Sequence, residues 1–233
     1  MKFGTNEIQK VYLGTTELDG LYLGTTQAYE KAASFDQYTL GVWHLDDSAC
    51  ANSVTTGDYA SKVPLNTYDV FTTSYSKFGA GSIQMVRHSG YQKMLNINTS
   101  VASADFTIDM WVRTPGGQGA NSNSAGSVRF RMAEETAFYL RSESISITGI
   151  SSRITTTAQT WYHIAVERYN DTIYRYLNGE LISSSATTQS ANFELSTYYY
   201  DSGLPVAPCI DEIRLSNTAR YQGQDFTPPT APY

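Results

Sequence analysis

A chain of 233 residues is long enough to bury a real core as one large domain, or as one domain with an appendage. Its formal charge of −6 argues against nucleic acid as a partner, because phosphate binding needs a cationic surface. With 18 tyrosines, abundant Thr, Ser and Gly and only 16% charged residues, the composition speaks against a helical protein and for an all-β sandwich or barrel of many short strands.

The chain opens on a repeat. Val11–Thr26 reads VYLGTTELDGLYLGTT, one phrase twice at a spacing of ten residues, with an echo at Phe3–Ile8. Strand alternation puts Ile8 and Tyr12 on one face and Val11 and Leu13 on the other. The second copy repeats this with Leu18 and Tyr22 against Leu21 and Leu23. Gly-Thr-Thr and Asp19-Gly20 supply the turns of a two- or three-stranded ribbon. Such a ribbon is marginal alone in water, and one that is apolar on both faces needs cover on both faces. Two readings stay open for residues 1–32: a meander packed on its own domain, or a docking and oligomerisation element, which is preferred. No stretch approaches the roughly 18 apolar residues that span a bilayer, and Met1–Lys10 lacks the apolar core of a signal peptide. Neither membrane insertion nor classical export is expected.

Residues 33–37 read as a connector, and residues 38–233 as one larger domain. YTLGVWHLDD, from Tyr38, is a strand with Leu40, Val42 and His44 on one side. FTIDMWVRT alternates Phe106, Ile108, Met110 and Val112 against Thr107, Asp109, Trp111 and Arg113. Pro115–Ser127 holds no large side chain and reads as a loop tip. SVRFRMAEETAFYLRS gives two strands around Glu134-Glu135, and ISITGISSRI a further short pair. From Trp161 to Ser185 the pattern is strand, Asn170-Asp171 turn, strand, Asn178-Gly179 turn, strand; Asn-Gly is the strongest short hairpin signal. CIDEIRLSN sets Ile210, Glu212 and Arg214 opposite Asp211, Ile213 and Leu215. Thr218–Tyr221 has the length of one helical turn, and the proline-rich end offers Phe226 and Tyr233 to staple it to the surface.

Catalytic patterns are scarce. His44, His88 and His163 are too scattered for a zinc site, and neither a Gly-x-Ser-x-Gly elbow nor a phosphate loop occurs. His163 reads as a hydrogen-bonded core residue, and Trp43, Trp111 and Trp161 as packing. Tyr198, Tyr199 and Tyr200 cannot all point inward, since neighbours on a strand alternate, so they are candidates for contact with a sugar ring or a protein neighbour. Cys50 and Cys209 do not make a disulfide framework, and two reduced thiols are the preferred reading.

GVWHLDD (Gly41–Asp47), FTIDMWVRT (Phe106–Thr114), WYHIAVERYNDTIYRYLNGELI (Trp161–Ile182) and IDEIRLSNTARY (Ile210–Tyr221) come in an order that resembles the laminin G-like domains of the concanavalin A-like lectin and glucanase superfamily. The resemblance covers roughly residues 38–230 and implies a jelly-roll sandwich of two antiparallel sheets. It places the first and last strands side by side. With Trp43 near Leu215 and Leu45 near Ile213, Cys50 comes close to Cys209, so a disulfide is reachable but not required. It also suggests structural calcium at one rim, held by Asp46, Asp47, Asp58 and Asp211, against the plainer reading of turn and cap residues. The carboxylate spacing of the family's glucanases, Glu-x-Asp-x-x-Glu, is absent, which argues against an enzyme.

The Gly-Thr-Thr phrases resemble the heads of tailed-phage virion proteins, and FTPPTAPY resembles the ends of laminin G-like proteins of marine phages. Together these resemblances imply a virion structural protein, assembled in the host cytoplasm as part of a tail fibre, tail tip or head decoration. The expected partners are other virion proteins, sister chains in a trimer, and a host-surface glycan. No cofactor is required. The alternatives are an architectural cement protein without a ligand and, behind it, a glycoside hydrolase.

Overall fold

The computed structural model describes residues 2–3, 6–7, 12–13, 16–17, 20–23, 26–30, 35–54, 70–84, 90–97, 104–114, 127–132, 135–140, 144–187, 193–199 and 208–233. Ile8, Val11, Leu18, Asp58 and Tyr200 lie outside them. The chain divides into two units, Met1–Asp36 and Gln37–Tyr233.

In the first unit the sequence repeat becomes a repeat of hairpins. Strands β1 (Lys2–Phe3) and β2 (Asn6–Glu7) pair, as do β3 (Tyr12–Leu13) and β4 (Thr16–Glu17), and β5 (Gly20–Leu23) and β6 (Thr26–Glu30). The innermost pairs are Phe3↔Asn6, Leu13↔Thr16 and Leu23↔Thr26, so the register recurs every ten residues with the phrase. Among the described strands each phrase therefore pairs with itself and not with its neighbour. This corrects the expected ribbon: the described strands form three separate two-stranded sheets. Gly20 opens β5 opposite Glu30, while Asp19 lies outside the described residues.

The second unit contains β7 (Thr39–Trp43), β8 (Val70–Thr72), β9 (Ser82–Gln84), β10 (Gly90–Ile97), β11 (Phe106–Arg113), β12 (Ser127–Met132), β13 (Glu135–Leu140), β14 (Ser144–Ile147), β15 (Ile154–Thr155), β16 (Trp161–Tyr169), β17 (Thr172–Leu177), β18 (Glu180–Ala186), β19 (Phe193–Tyr199) and β20 (Cys209–Ser216). No helix occurs among the described residues. One antiparallel sheet has the order β18-β17-β16-β11-β20-β9-β8, with β7 also paired to β20; the other runs β10-β19-β12-β13-β14-β15. Trp43, Phe106, Ile108, Met110, Val112, Ile164 and Val166 of the larger sheet and Phe138, Leu140, Ile145 and Ile147 of the smaller one share a single core, as a jelly-roll sandwich requires.

The turns show why the central meander forms. Asn170 and Asp171 both have positive φ, as do Asn178 and Gly179. Two consecutive left-handed residues make the type I′ turns that match strand twist, and Asn, Asp and Gly are the residues that tolerate them.

Four expectations are corrected in and around the first and last strands. β20 does not alternate strictly. Trp111 pairs with Asp211 but Asp109 with Arg214, so β20 carries an extra residue, and Glu212 takes a positive φ there. The bulge brings Ile210, Ile213 and Leu215 all into the core. Trp43 pairs with Ile213, two residues from the expected register, and it is Trp43 and Leu45 that enter the core, while His44 is half-buried. Thr218–Tyr221 forms bends, not a helical turn.

Candidate functional site

Every residue of β11 is buried, including Thr107, Asp109, Trp111 and Arg113, which alternate away from the core. A second layer must therefore cover the outward face of the larger sheet. Two segments do so. Tyr75 and Phe78 precede β9: Arg113 lies over the Tyr75 ring at 4.0 Å, Lys77 Nζ lies 3.8 Å from the Trp111 ring centroid, and Phe78 meets Trp111 edge-on at 6.0 Å. The other segment is the C-terminus, residues 217–233. Phe226 stacks on Tyr221 at 3.5 Å and packs edge-on against His163 and Tyr176, and its amide donates to Gly179 O.

Under this strap lie fully buried charges. Asp109 is 0% exposed and takes a two-pronged grip from Arg214, Nη2 to Oδ2 at 2.6 Å and Nε to Oδ1 at 3.1 Å, plus the Tyr221 hydroxyl. Burial pushes the Asp109 carboxyl up, but the charge and hydrogen bonds of Arg214 outweigh it and hold it below the usual carboxylate range. Arg214 also lies over the Tyr233 ring at 4.1 Å. Glu167, also 0% exposed, accepts from Tyr176 OH and Gly223 N on Oε1 and from Tyr221 N on Oε2 at 2.6 Å. Thr107 hands its hydroxyl proton to Thr218 O at 2.8 Å and accepts from Arg220 N. His163 meets Tyr233 OH at 3.0 Å through Nε2, and burial drives its pKa down to about 4, so it is neutral. Asp109 and Glu167 are thus two carboxylates on one sheet face, closed off from solvent and engaged by donors from the strap.

Sequence reasoning gave Thr107, Asp109 and Arg113 the off-core face of their strand, but did not find this network. Its signal was there: polar side chains alternating with a fully apolar core set, and a terminal segment rich in Tyr and Phe with no other place to go.

The expected rim carboxylates are placed as follows. Asp46 Oδ1 accepts from Ala80 N at 2.6 Å, and Asp211 Oδ2 from Lys77 N at 2.6 Å, so both tie the loop before β9. Asp47 Oδ1 caps the amides of Ala49 and Cys50 at 2.9 Å. Burial pushes the Asp211 carboxyl up to about 7. Neighbouring Glu212 holds His44 Nδ1 at 3.0 Å, a bond that raises the histidine's pKa against the effect of burial. Among the described residues no three His, Cys, Asp or Glu side chains gather around one point. Asp46, Asp47 and Asp211 each spend an oxygen on backbone amides, and Asp58 lies outside the described residues.

Cys50 and Cys209 are buried thiols that are not bridged to one another. Cys50 Sγ lies 3.1 Å from Asp47 O, while Cys209 is paired in the sheet with Gln84 and Arg113. Burial pushes both thiols up to about 11, so neither is a ready nucleophile. Tyr198 and Tyr199 end β19 in the smaller sheet, where Tyr198 pairs with Tyr91 and Ser127.

A protein-family model described as the concanavalin A-like lectin/glucanases superfamily matches residues 88–224. No curated protein matches the chain. Among solved structures, a Trypanosoma rangeli sialidase in complex with sialic acid is similar with a TM-score of 0.53 and 10% identity, over 82% of this chain and 32% of its own. The receptor-binding domain of botulinum neurotoxin mosaic serotype C/D is similar with a TM-score of 0.51 and 10% identity, over 78% of this chain and 48% of its own. At these identities the likeness is one of fold. The chain spans about a third to a half of the length of the first solved structures it matches.

Proposed function

Because the chain belongs to the concanavalin A-like lectin/glucanases superfamily, we propose that it is a non-catalytic, carbohydrate-binding structural protein of a tailed-phage particle. The sandwich binds a glycan of the host surface, as part of a tail fibre, tail tip or head decoration. The N-terminal hairpins dock onto another virion protein or onto sister chains, with a trimer as the preferred assembly. The protein is made in the host cytoplasm and works in the virion, without a cofactor.

One observation carries the binding reading. The two outward carboxylates of the larger sheet, Asp109 and Glu167, are 0% exposed beneath the C-terminal strap. Glycoside hydrolysis needs a protonated and an ionised carboxyl open to the bond between them. Here the arginine grip holds Asp109 ionised and the strap closes the face, which supports a lectin-like role over hydrolysis. The virion setting is supported by the repeated Gly-Thr-Thr phrase, which yields three hairpins whose innermost pairs recur every ten residues.

The test is retention of the full chain on a broad panel of immobilised glycans, with the retained glycans recovered and sized. The proposal expects retention and chains of unchanged length. Shortened chains would establish a hydrolase. No retention, together with stoichiometric binding to phage particles, would establish the architectural cement reading.

A further inference from the structure

We infer that the C-terminal strap ends in an acid-released latch: Tyr233, its last anchor on the larger sheet, sits on His163, Arg214 and Glu212 and leaves that seat when acid charges His163. The device does not depend on which ligand the sandwich binds.

The strap is held in two places. Its first part is tied by backbone amides: Asn217 N donates to Tyr38 O, Arg220 N to Thr107, Tyr221 N and Gly223 N to Glu167, and Phe226 N to Gly179 O. The six residues that follow, 227–232, make no hydrogen bond with any described residue. Three of them are prolines, which have no N–H to offer. The chain then returns to the sheet at Tyr233. Its ring lies 4.1 Å from the Arg214 guanidinium, its hydroxyl meets His163 Nε2 at 3.0 Å, and its amide donates to Glu212 Oε2 at 3.2 Å. All three partners are charged or titratable side chains. A segment without bonds of its own opens when its end lets go, so residues 227–233 can lift while the first part of the strap stays in place.

His163 is the group in this seat that acid changes most. It is fully buried on β16. From β11 it faces Trp111, edge-on at 5.2 Å, and Asp109; from β20, Arg214; from the loop before β9, Lys77. From the strap it faces Phe226 and Tyr233, and Asn178 Oδ1 at the end of β17 accepts from its amide. Asp109 is the carboxylate of this set, and Arg214 already grips it. Protonated in place, His163 would stand with Arg214 and Lys77 as a third cation, and its Nδ1 has no hydrogen-bond partner there. Burial, with Arg214 and Lys77 adding to it and Asp109 opposing, holds its pKa down at about 4. With Tyr233 lifted, water reaches Nε2 and the imidazole titrates near its ordinary 6.5. Opening then becomes about twentyfold more favourable at pH 5 than at pH 7, and about a hundredfold more at pH 4. His44 does not drive this step. It shares Glu212 with Tyr233, and charging it strengthens its own pair with that carboxylate.

Amide hydrogen exchange of the full chain, followed by NMR at pH 7 and pH 5 and corrected for the unstructured rate at each pH, tests the latch. The protection of the Tyr233 amide should fall about twentyfold between the two, while the amides of β11, β16, Tyr221 and Gly223 keep theirs. His163→Gln retains a polar partner for the Tyr233 hydroxyl and cannot titrate, so its Tyr233 protection should not change with pH. Should that variant fail to fold, the imidazole titration of the natural chain carries the test, with a His163 midpoint near 4 expected and one near 6.5 overturning the latch. Tyr233 protection that is the same at both pH values, or that falls equally in His163→Gln, also overturns it. So does loss of protection in β11 and β16 in step with Tyr233, which would be unfolding of the sandwich.

Discussion

His163 takes its charge state from its place between the sheet and the C-terminal strap. Its folded pKa of about 4 lies below the ordinary 6.5, with burial as the leading cause. Below pH 6.5 the unfolded chain takes up a proton that the folded chain refuses. The stability contributed by a neutral His163 is therefore complete above pH 6.5 and is lost as pH falls towards 4, by about 3 kcal/mol in all. Asp211 works in the opposite direction. Its folded pKa, about 7, lies above the ordinary 3.8, so its contribution is complete at low pH and lost as pH rises towards 7. Comparison with a His163→Gln variant cancels the Asp211 contribution. Urea unfolding at pH 7 and pH 4 should show the natural protein losing about 3 kcal/mol more than the variant. Parallel losses in the two proteins would mean that His163 titrates normally.

At the scale of elements, the hairpin β17–β18 is tied to the strap through its turn. Gly179 has φ +83°, and a Cβ there would overlap the carbonyl oxygen of Phe226, whose amide binds Gly179 O. Gly179→Ala should cost about 2 kcal/mol through backbone strain and displacement of the strap. In a chain of this size that lowers the melting temperature by about 4–8 °C. An unchanged melting curve would contradict the contact. This turn was legible in the sequence, because Asn-Gly names its own geometry. So were the core positions of β11, where period two runs unbroken. β20 was not: the bulge at Glu212 shifts the phase by one residue, and nothing in CIDEIRLSN marks it. The register of β7 on β20 was missed separately, by two residues, since Trp43 pairs with Ile213. The Asp109–Arg214–Tyr221 cluster was hidden for a different reason. It joins residues more than a hundred positions apart, and only the folded sheet brings them together.

On the scale of the whole molecule, the chain pairs a repeated hairpin unit with a sandwich whose larger sheet is closed on its outward side by the chain's own C-terminus. The hairpins are two-stranded, and such sheets are marginal without further partners. Light scattering should therefore find a trimer for the full chain and a folded monomer for a chain starting at Ser34. Two monomers would remove self-assembly as the reason for the repeat and leave docking to another protein. The account's central claim is that the sandwich binds a glycan while its own terminus keeps the carboxylate pair of the larger sheet closed off. Hydrogen exchange of the full chain, with and without a saturating glycan that the panel shows it to retain, tests it most directly. The account predicts added protection within Gln37–Tyr233 that spares β11, β16 and residues 217–233. Protection gained instead in residues 217–233 and β16, or none anywhere, would contradict it.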